Sequence, residues 1–260
     1  MYSTKSVLSL IFEKIVLKNK CQRDFLQELF LLLPSIRGRL TFSNMSRYSH
    51  YNESTFRRNY EKFVDWLLFN FITLSLGGCL EVEHIASIDA SFLAKAGKRT
   101  YGLDKFWSSC LSKAKKGLEV SLLALIEVKN KRAWTLDITQ TPSGLSNKSD
   151  GINNYTRVDF YMEQLLDCLK YLEHTLYIVG DGFYAKTKVF NTVQGMGKYL
   201  ITKLRPDANM CHLLNPDEKV HGNTKYGKKV NWKTIDLTKW TYVGGHPPVS
   251  YTHLTLPTNG

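Results

Sequence analysis

Residues 84–92 read HIASIDASF and residues 176–182 read LYIVGDG, two short apolar runs that each carry one aspartate, Asp89 and Asp181. Apolar runs of this length bounded by polar or glycine-rich segments are the pattern of buried strands. An ionised carboxylate inside or at the end of such a strand is costly unless a metal ion, a basic partner or a turn compensates it. For Asp181 the flanking Gly180 and Gly182 also fit a simple turn, since aspartate tolerates left-handed backbone. Asp89, between Ile88 and Ala90, has no such turn beside it. Taken together the two acids suggest a divalent-metal site, because hard cations take oxygen ligands and two carboxylates leave positions for water or phosphate oxygens.

Working outward, Leu118–Val128 (LEVSLLALIEV), the polar turn Lys129–Lys131 and Ala133–Thr139 (AWTLDIT) form an expected hairpin. Pro142–Tyr155 reads as a polar loop, Val158–Leu172 has helical period, and Leu176–Val179 is a buried strand. A helix over Thr187–Val193 and a strand over Tyr199–Lys203 complete the series. Strand, hairpin, helix, strand, helix, strand predicts a mixed α/β sheet covered by helices.

The first part of the chain, up to about Leu76, is helical by the same test. An amphipathic helix opens the chain, and Leu26, Leu29, Phe30 and Leu33 step by three and four before Pro34 ends the second helix. A short helix around Ser43–Tyr48, a polar break at Ser49–Asn52 and a further helix capped by Asn52 or Ser54 follow. That last helix is expected to bury Phe56, Tyr60, Phe63, Trp66 and Leu67. Two helices across a tight turn, with Arg57 and Arg58 near the start of the second, have the layout of a helix-turn-helix. A plain helical bundle with solvated arginines has the same sequence pattern.

Charge adds a direction. The 260 residues carry 35 Lys and Arg against 23 Asp and Glu, a formal net charge of +12, with hydrophobic residues at 43%. That composition is globular and excludes wholesale disorder or collagen-like repetition. Its basic excess points to a polyanionic partner. Lys95–Lys116, directly after Asp89, holds seven basic residues against the single acid Asp104, including Lys95, Lys98, Arg99 and Lys105. Five dispersed cysteines without a C-x-x-C pair argue against a disulfide framework or zinc ribbon and for reduced thiols in a cytoplasmic setting. The longest apolar stretch, Trp66–Leu76, is short for a bilayer span, which needs about 20 residues, so no membrane association is expected. Cys211, His212 and His221 lack the paired spacing of a zinc site, and no G-x-S-x-G occurs for a serine hydrolase.

Asp89 in IDASFLAKAGKRTYGLDKFWSSCLSKAKKGLEVSLLALIEV (88–128) and Asp181 in YIVGDGFYAKTKVF (177–190) resemble the first and second acids of the DDE transposases of bacterial insertion sequences, members of the RNase H-like, integrase superfamily. The resemblance runs from about residue 40 to 240. It implies an RNase H-like mixed sheet flanked by helices over residues 80–248, preceded by an all-α DNA-binding region over residues 1–76. It also implies two-metal phosphoryl transfer with Mg2+ or Mn2+ held by Asp89 and Asp181. Double-stranded DNA, both transposon ends and target, is the implied partner, with a homodimer in the synaptic complex. Arg57, Arg58, Lys95, Lys98, Arg99 and Lys105 are the expected phosphate contacts, and Tyr101, Phe106 and Trp107 are candidates for stacking on an unpaired base.

The family completes its site with a glutamate on a later helix, often after a β-rich insertion. Lys225–Val243 alternates like the start of such an insertion, but no third acid follows, and Asp207, Asp217, Glu218 and Asp236 are not assigned. Val249–Gly260 (VSYTHLTLPTNG) resembles translated sequencing adaptor. The chain therefore reads as about 248 residues of a longer transposase with a foreign tail, expected to bind DNA without completing strand transfer. Two other readings use the same residues: a non-catalytic DNA-binding protein derived from a transposase, and another RNase H-like nuclease.

Overall fold

The computed structural model describes residues 4–17, 19–97, 99–145, 155–203, 209, 211 and 227–231. Residues 1–205 form one compact unit and residues 206–260 a second. In the second, the described residues contribute an isolated antiparallel bridge between Cys211 and Lys229 beside a buried Val230. Lys98, most of the Lys225–Val243 segment, the two histidines near Cys211 and the 249–260 tail lie outside the described residues.

Five helices come first: α1 (Thr4–Lys14), α2 (Lys20–Leu32), α3 (Phe42–Ser46), α4 (Glu53–Tyr60) and α5 (Trp66–Leu76). Four of them start at a side chain that accepts an otherwise unpaired N–H of the first turn. Asn19 takes Gln22 N–H at 2.9 Å, Thr41 takes Asn44 at 3.2 Å, Asn52 takes Thr55 at 2.9 Å and Asp65 takes Leu68 at 2.9 Å. Their apolar faces close around Ile11, Phe12, Phe25, Leu26, Phe56 and Phe69. Aromatic contacts give this core its shape, with Phe30 stacked on Phe69 at 4.9 Å and Phe25 edge-on to Phe56 at 5.5 Å.

The expected single helix over the second half of this region is instead two. Asn52 is the cap, as its sequence position suggests, but α4 stops at Tyr60 and Asp65 starts a new helix with its own cap. The restart breaks the register of the expected apolar stripe. Phe56 is buried at 2% exposure, whereas Tyr60 is 77% and Phe63 84% exposed, and Trp66 is half exposed. The residues after the break, WLLFNFITLSL, are apolar almost all round, and α5 uses both sides. Phe69 and Ile72 enter the first core, while Leu74, Leu67 and Phe71 pack into a second one beneath the sheet.

The sheet has six strands: β1 (His84–Ala94), β2 (Asp104–Ser108), β3 (Lys113–Glu127), β4 (Arg132–Gln140), then α6 (Arg157–Asp167), β5 (Tyr177–Gly180), α7 (Thr187–Gly195) and β6 (Tyr199–Thr202). β3 pairs antiparallel with β1 from His84↔Glu127 to Ala94↔Gly117. Its other edge is shared, with β4 alongside residues 120–127 and β2 alongside residues 113–117. Gly117 sits where the three strands converge: a Cβ there would come within 2.4 Å of the Phe92 ring and 2.5 Å of the Leu93 carbonyl oxygen. On the opposite side of β1 the pairing turns parallel, to β5 and then β6. The β5–β6 step is bridged by α7, and the chain returns from β1 to β5 through β2–β4 and α6, long crossovers of the kind that parallel strands need.

Strand alternation divides the side chains between two faces. Ala86, Ile88, Leu123, Leu125 and Ile178 point to a core completed by Tyr161, Met162 and Leu165 of α6 and by Val189 and Val193 of α7. The other face presents Ile138, Tyr177, Tyr199 and Ile201 at 40–64% exposure. Asp89 belongs to this second set, since it pairs with Leu122 and not with the core-facing Leu123. The predicted series of strand, hairpin, helix, strand, helix and strand is present. β2 and the first residues of β3, which the lysine-rich sequence did not suggest, are added to it.

Candidate active site

The pairing of β1 with β5 ends at Ile88↔Gly180. The next residue on each strand is an acid, Asp89 on β1 and Asp181 just past β5. The two aspartates, far apart in sequence, thus stand side by side where the β1–β5 pairing ends, Asp89 midway along β1 and Asp181 at the carboxyl end of β5, and the carboxyl end of a parallel strand is where open α/β sheets hold their ligands. Both side chains are exposed, and among the described residues neither forms a salt bridge.

Asp181 opens a tight turn. Its Oδ1 accepts the Phe183 N–H at 2.9 Å, its carbonyl accepts the Tyr184 N–H at 3.1 Å, and the Thr202 hydroxyl donates to the same carbonyl at 2.7 Å. The turn-capping role expected of aspartate between two glycines is therefore real, and it fixes the carboxylate beside Asp89. Asp89 is held above the usual carboxylate range, first by partial desolvation of its carboxyl group among its neighbours and then by the negative charge of Asp181; the Ala90 N–H opposes this and Glu119 adds to it. A site that raises a carboxyl pKa by desolvation and by a second acid is one that a cation would relieve.

These acids line a cleft of about 910 Å³ whose other walls include Trp107, Glu119, Arg157, Tyr161 and Tyr184. Glu119 is a third carboxylate that the sequence reading passed over. It is 6% exposed, accepts the Tyr161 hydroxyl and stands 3.9 Å from the Arg157 guanidinium. Arg157 is itself 8% exposed and stacks over the Phe106 ring at 4.5 Å. It donates to the Leu145 carbonyl at 3.0 Å and the Lys105 carbonyl at 3.2 Å. Glu119 is thus committed to the cleft floor, and among the described residues no cluster of three metal-ligating side chains occurs. Asp89 and Asp181 offer two oxygen ligands to a hard cation, with the remaining positions left for water or phosphate. The signal that could have exposed Glu119 is akin to the one that exposed Asp89, an acid in a largely apolar strand run, here LEVSLLALIEV, which carries Glu119 near its start and Glu127 near its end.

Of the expected phosphate contacts, Lys95, Arg99 and Lys105 are exposed on the segment that leaves β1 and on β2. Lys105 lies directly opposite Lys116 across the β2–β3 pair. Arg57 and Arg58 are on α4, which contributes nothing to the cleft walls. Arg57 is engaged by Glu53 at 2.7 Å and lies over the Phe42 ring at 5.4 Å, whereas Arg58 is exposed. Among the three candidate stacking residues, Phe106 is completely buried under Arg157, Tyr101 is 88% exposed, and Trp107, 60% exposed, is the one that lines the cleft. Among the described residues no helix is long and apolar enough to cross a membrane. Comparison with models of known protein families and with curated proteins returns no match to this sequence, so the functional reading rests on the cleft and its residues.

Proposed function

We propose that the protein is a DNA transposase of the DDE type, built on an RNase H-like sheet, acting in the cytoplasm on double-stranded DNA at the ends of an insertion element. The observation that carries this reading is the acid pair where the β1–β5 pairing ends, Asp89 midway along β1 and Asp181 just past β5, in a sheet whose first strands are antiparallel and whose last two run parallel to β1. Asp89 and Asp181 would hold Mg2+ or Mn2+, which when bound supplies charge neutralisation for in-line phosphoryl transfer. Lys95, Arg99 and Lys105 supply positive charge next to that point. Lys105 and Lys116 face each other directly, an arrangement of like charges that destabilises a strand pair on its own and that a phosphate backbone would relieve. Arg58 and the α3–α4 pair provide a separate DNA contact in helix-turn-helix fashion, and a homodimer would bring two element ends together.

Titration of Mn2+ into the protein tests the site, with binding expected to disappear in Asp89→Asn and in Asp181→Asn. A metal-dependent nick in element-end DNA that survives Asp89→Asn would overturn the assignment. The commitment of Glu119 to Arg157 and Tyr161 favours a second reading, a transposase-derived DNA-binding protein without catalysis. DNA binding with no Mn2+ uptake by the wild-type chain selects that alternative. Cleavage without preference for element ends indicates another nuclease of the same fold.

A further inference from the structure

The stretch from Pro34 to His50 (PSIRGRLTFSNMSRYSH) carries Arg37, Arg39 and Arg47 and no acid. Its first part is the loop that leads into α3. Both ends of that loop are anchored, since Ile36 and Phe42 pack against the core of the helical region. Between them one side chain pins the backbone. Asn44 Nδ2 donates to the Arg37 carbonyl at 2.9 Å and to the Arg39 carbonyl at 3.0 Å, and the Thr41 N–H donates to the Arg39 carbonyl at 3.0 Å. Gly38 turns the chain between the two arginines at φ +87°, a conformation that favours glycine.

These bonds fix the backbone and leave the side chains free. Arg37 and Arg39 are exposed, and Leu40 is 62% exposed. Among the described residues neither arginine forms an ion pair, whereas Arg57 on α4 is engaged by Glu53. The loop adjoins the α3–α4 pair, because Phe42 directly after it meets the Tyr60 ring at 5.4 Å and lies under Arg57 at 5.4 Å. Two guanidinium groups one residue apart on a thin, ordered loop, followed by an exposed apolar side chain, suit the minor groove of DNA. That groove is about 6 Å wide, too narrow for a helix. Its negative potential is greatest where A·T runs narrow it further, which draws arginine in, and apolar side chains wedge between its base steps.

We propose that the Arg37–Leu40 loop reads the minor groove of A·T-rich DNA beside the stretch contacted by α3 and α4. This rests on the DNA-binding reading above and adds to it a sequence preference carried by a segment outside the helix pair. An arm that enters the minor groove next to a helix docked in the major groove is a workable geometry for such a unit.

The test measures binding of the full chain to three labelled duplexes of equal length, built from A·T, G·C and inosine·C pairs, by fluorescence anisotropy over a salt series. Inosine lacks the guanine 2-amino group, so inosine·C presents the minor groove of A·T with the major groove of G·C. The wild-type chain is expected to bind the A·T and inosine·C duplexes about tenfold more tightly than the G·C duplex. The double variant Arg37→Lys, Arg39→Lys is expected to keep the salt slope and lose the preference, because lysine retains the charge but is more strongly hydrated. Replacing both by alanine should also reduce the slope of log K against log salt by about 0.9 per lost contact. Arg58→Ala is expected to weaken all three complexes equally. A preference that survives both double variants overturns the proposal, as does a wild-type chain that binds the three duplexes alike. An A·T preference that inosine·C does not share places the readout in the major groove and also overturns it. A wild-type chain that binds none of the duplexes overturns the DNA-binding reading and this proposal with it.

Discussion

Replacing Glu119 by alanine takes one partner out of a buried ion pair whose side chains are 8% and 10% exposed. Removing one member of such a pair costs about 3–5 kcal/mol, since the other charge is left without compensation. Two features act in opposite senses here. Arg157 keeps the Leu145 and Lys105 carbonyls and the Phe106 ring, which moderates the loss. The buried Tyr161 hydroxyl loses its acceptor, which adds about 1–3 kcal/mol. An expected cost of about 4 kcal/mol follows, and for a chain of this size it lowers the melting temperature by about 8–16 °C. Glu119→Gln keeps an acceptor for Tyr161 and should cost about half as much. Urea unfolding followed by circular dichroism measures both, and Arg157→Met with the double variant completes a cycle. A cost below about 1 kcal/mol for Glu119→Ala, or strict additivity in the cycle, would refute the pair as the structural floor of the cleft.

Three further outcomes are expected. Because Asp89 has a raised pKa in the folded chain, its ionised form disfavours folding; the penalty is fully present above the raised pKa and disappears below the ordinary carboxylate value of about 3.9. Metal-free Asp89→Asn should therefore melt slightly higher than wild type at pH 7, by less than about 1 kcal/mol for an exposed group, and equally at pH 3; a lower melting temperature at pH 7 contradicts the stated cause. Lys105→Ala and Lys116→Ala should each weaken DNA binding and reduce the slope of log K against log salt by about 0.9 per lost phosphate contact, read by fluorescence anisotropy over a salt series. Phe63→Ser should change stability by no more than about 0.5 kcal/mol, while Phe56→Ala should cost about 3–5 kcal/mol, in denaturant titrations.

Much of the sheet was legible because its strands advertise themselves as apolar runs closed by glycine or polar turns. Asp89 and Asp181 could be found from the same runs, each being the one residue that does not belong in a buried strand. β2 was hidden because DKFWS and the facing KAKKG contain few strand formers, and their pairing depends on the neighbouring strand more than on local preference. The restart at Asp65 was hidden for another reason, since the apolar spacing continues through Phe63 and Trp66 as if one helix ran on, and only the cap that Asp65 places on the Leu68 N–H reveals the break. Glu119 is a pairing problem: its acid stands plainly in an apolar run, but its partners Arg157 and Tyr161 come from a helix that the sequence does not place against it.

The parallel pairing of β1 with β5 also works as a ruler. Neighbouring strands lie about 4.8 Å apart whatever side chains they carry, so the spacing of Asp89 and Asp181 is set by main-chain hydrogen bonds that end at Ile88 and Gly180. Substitutions around the cleft can alter what is bound and how tightly while the gauge between the two carboxylates stays constant. Only a change that slips the register of β5 against β1 would reset it, and such a slip by one residue would also turn Ile178 out of the core.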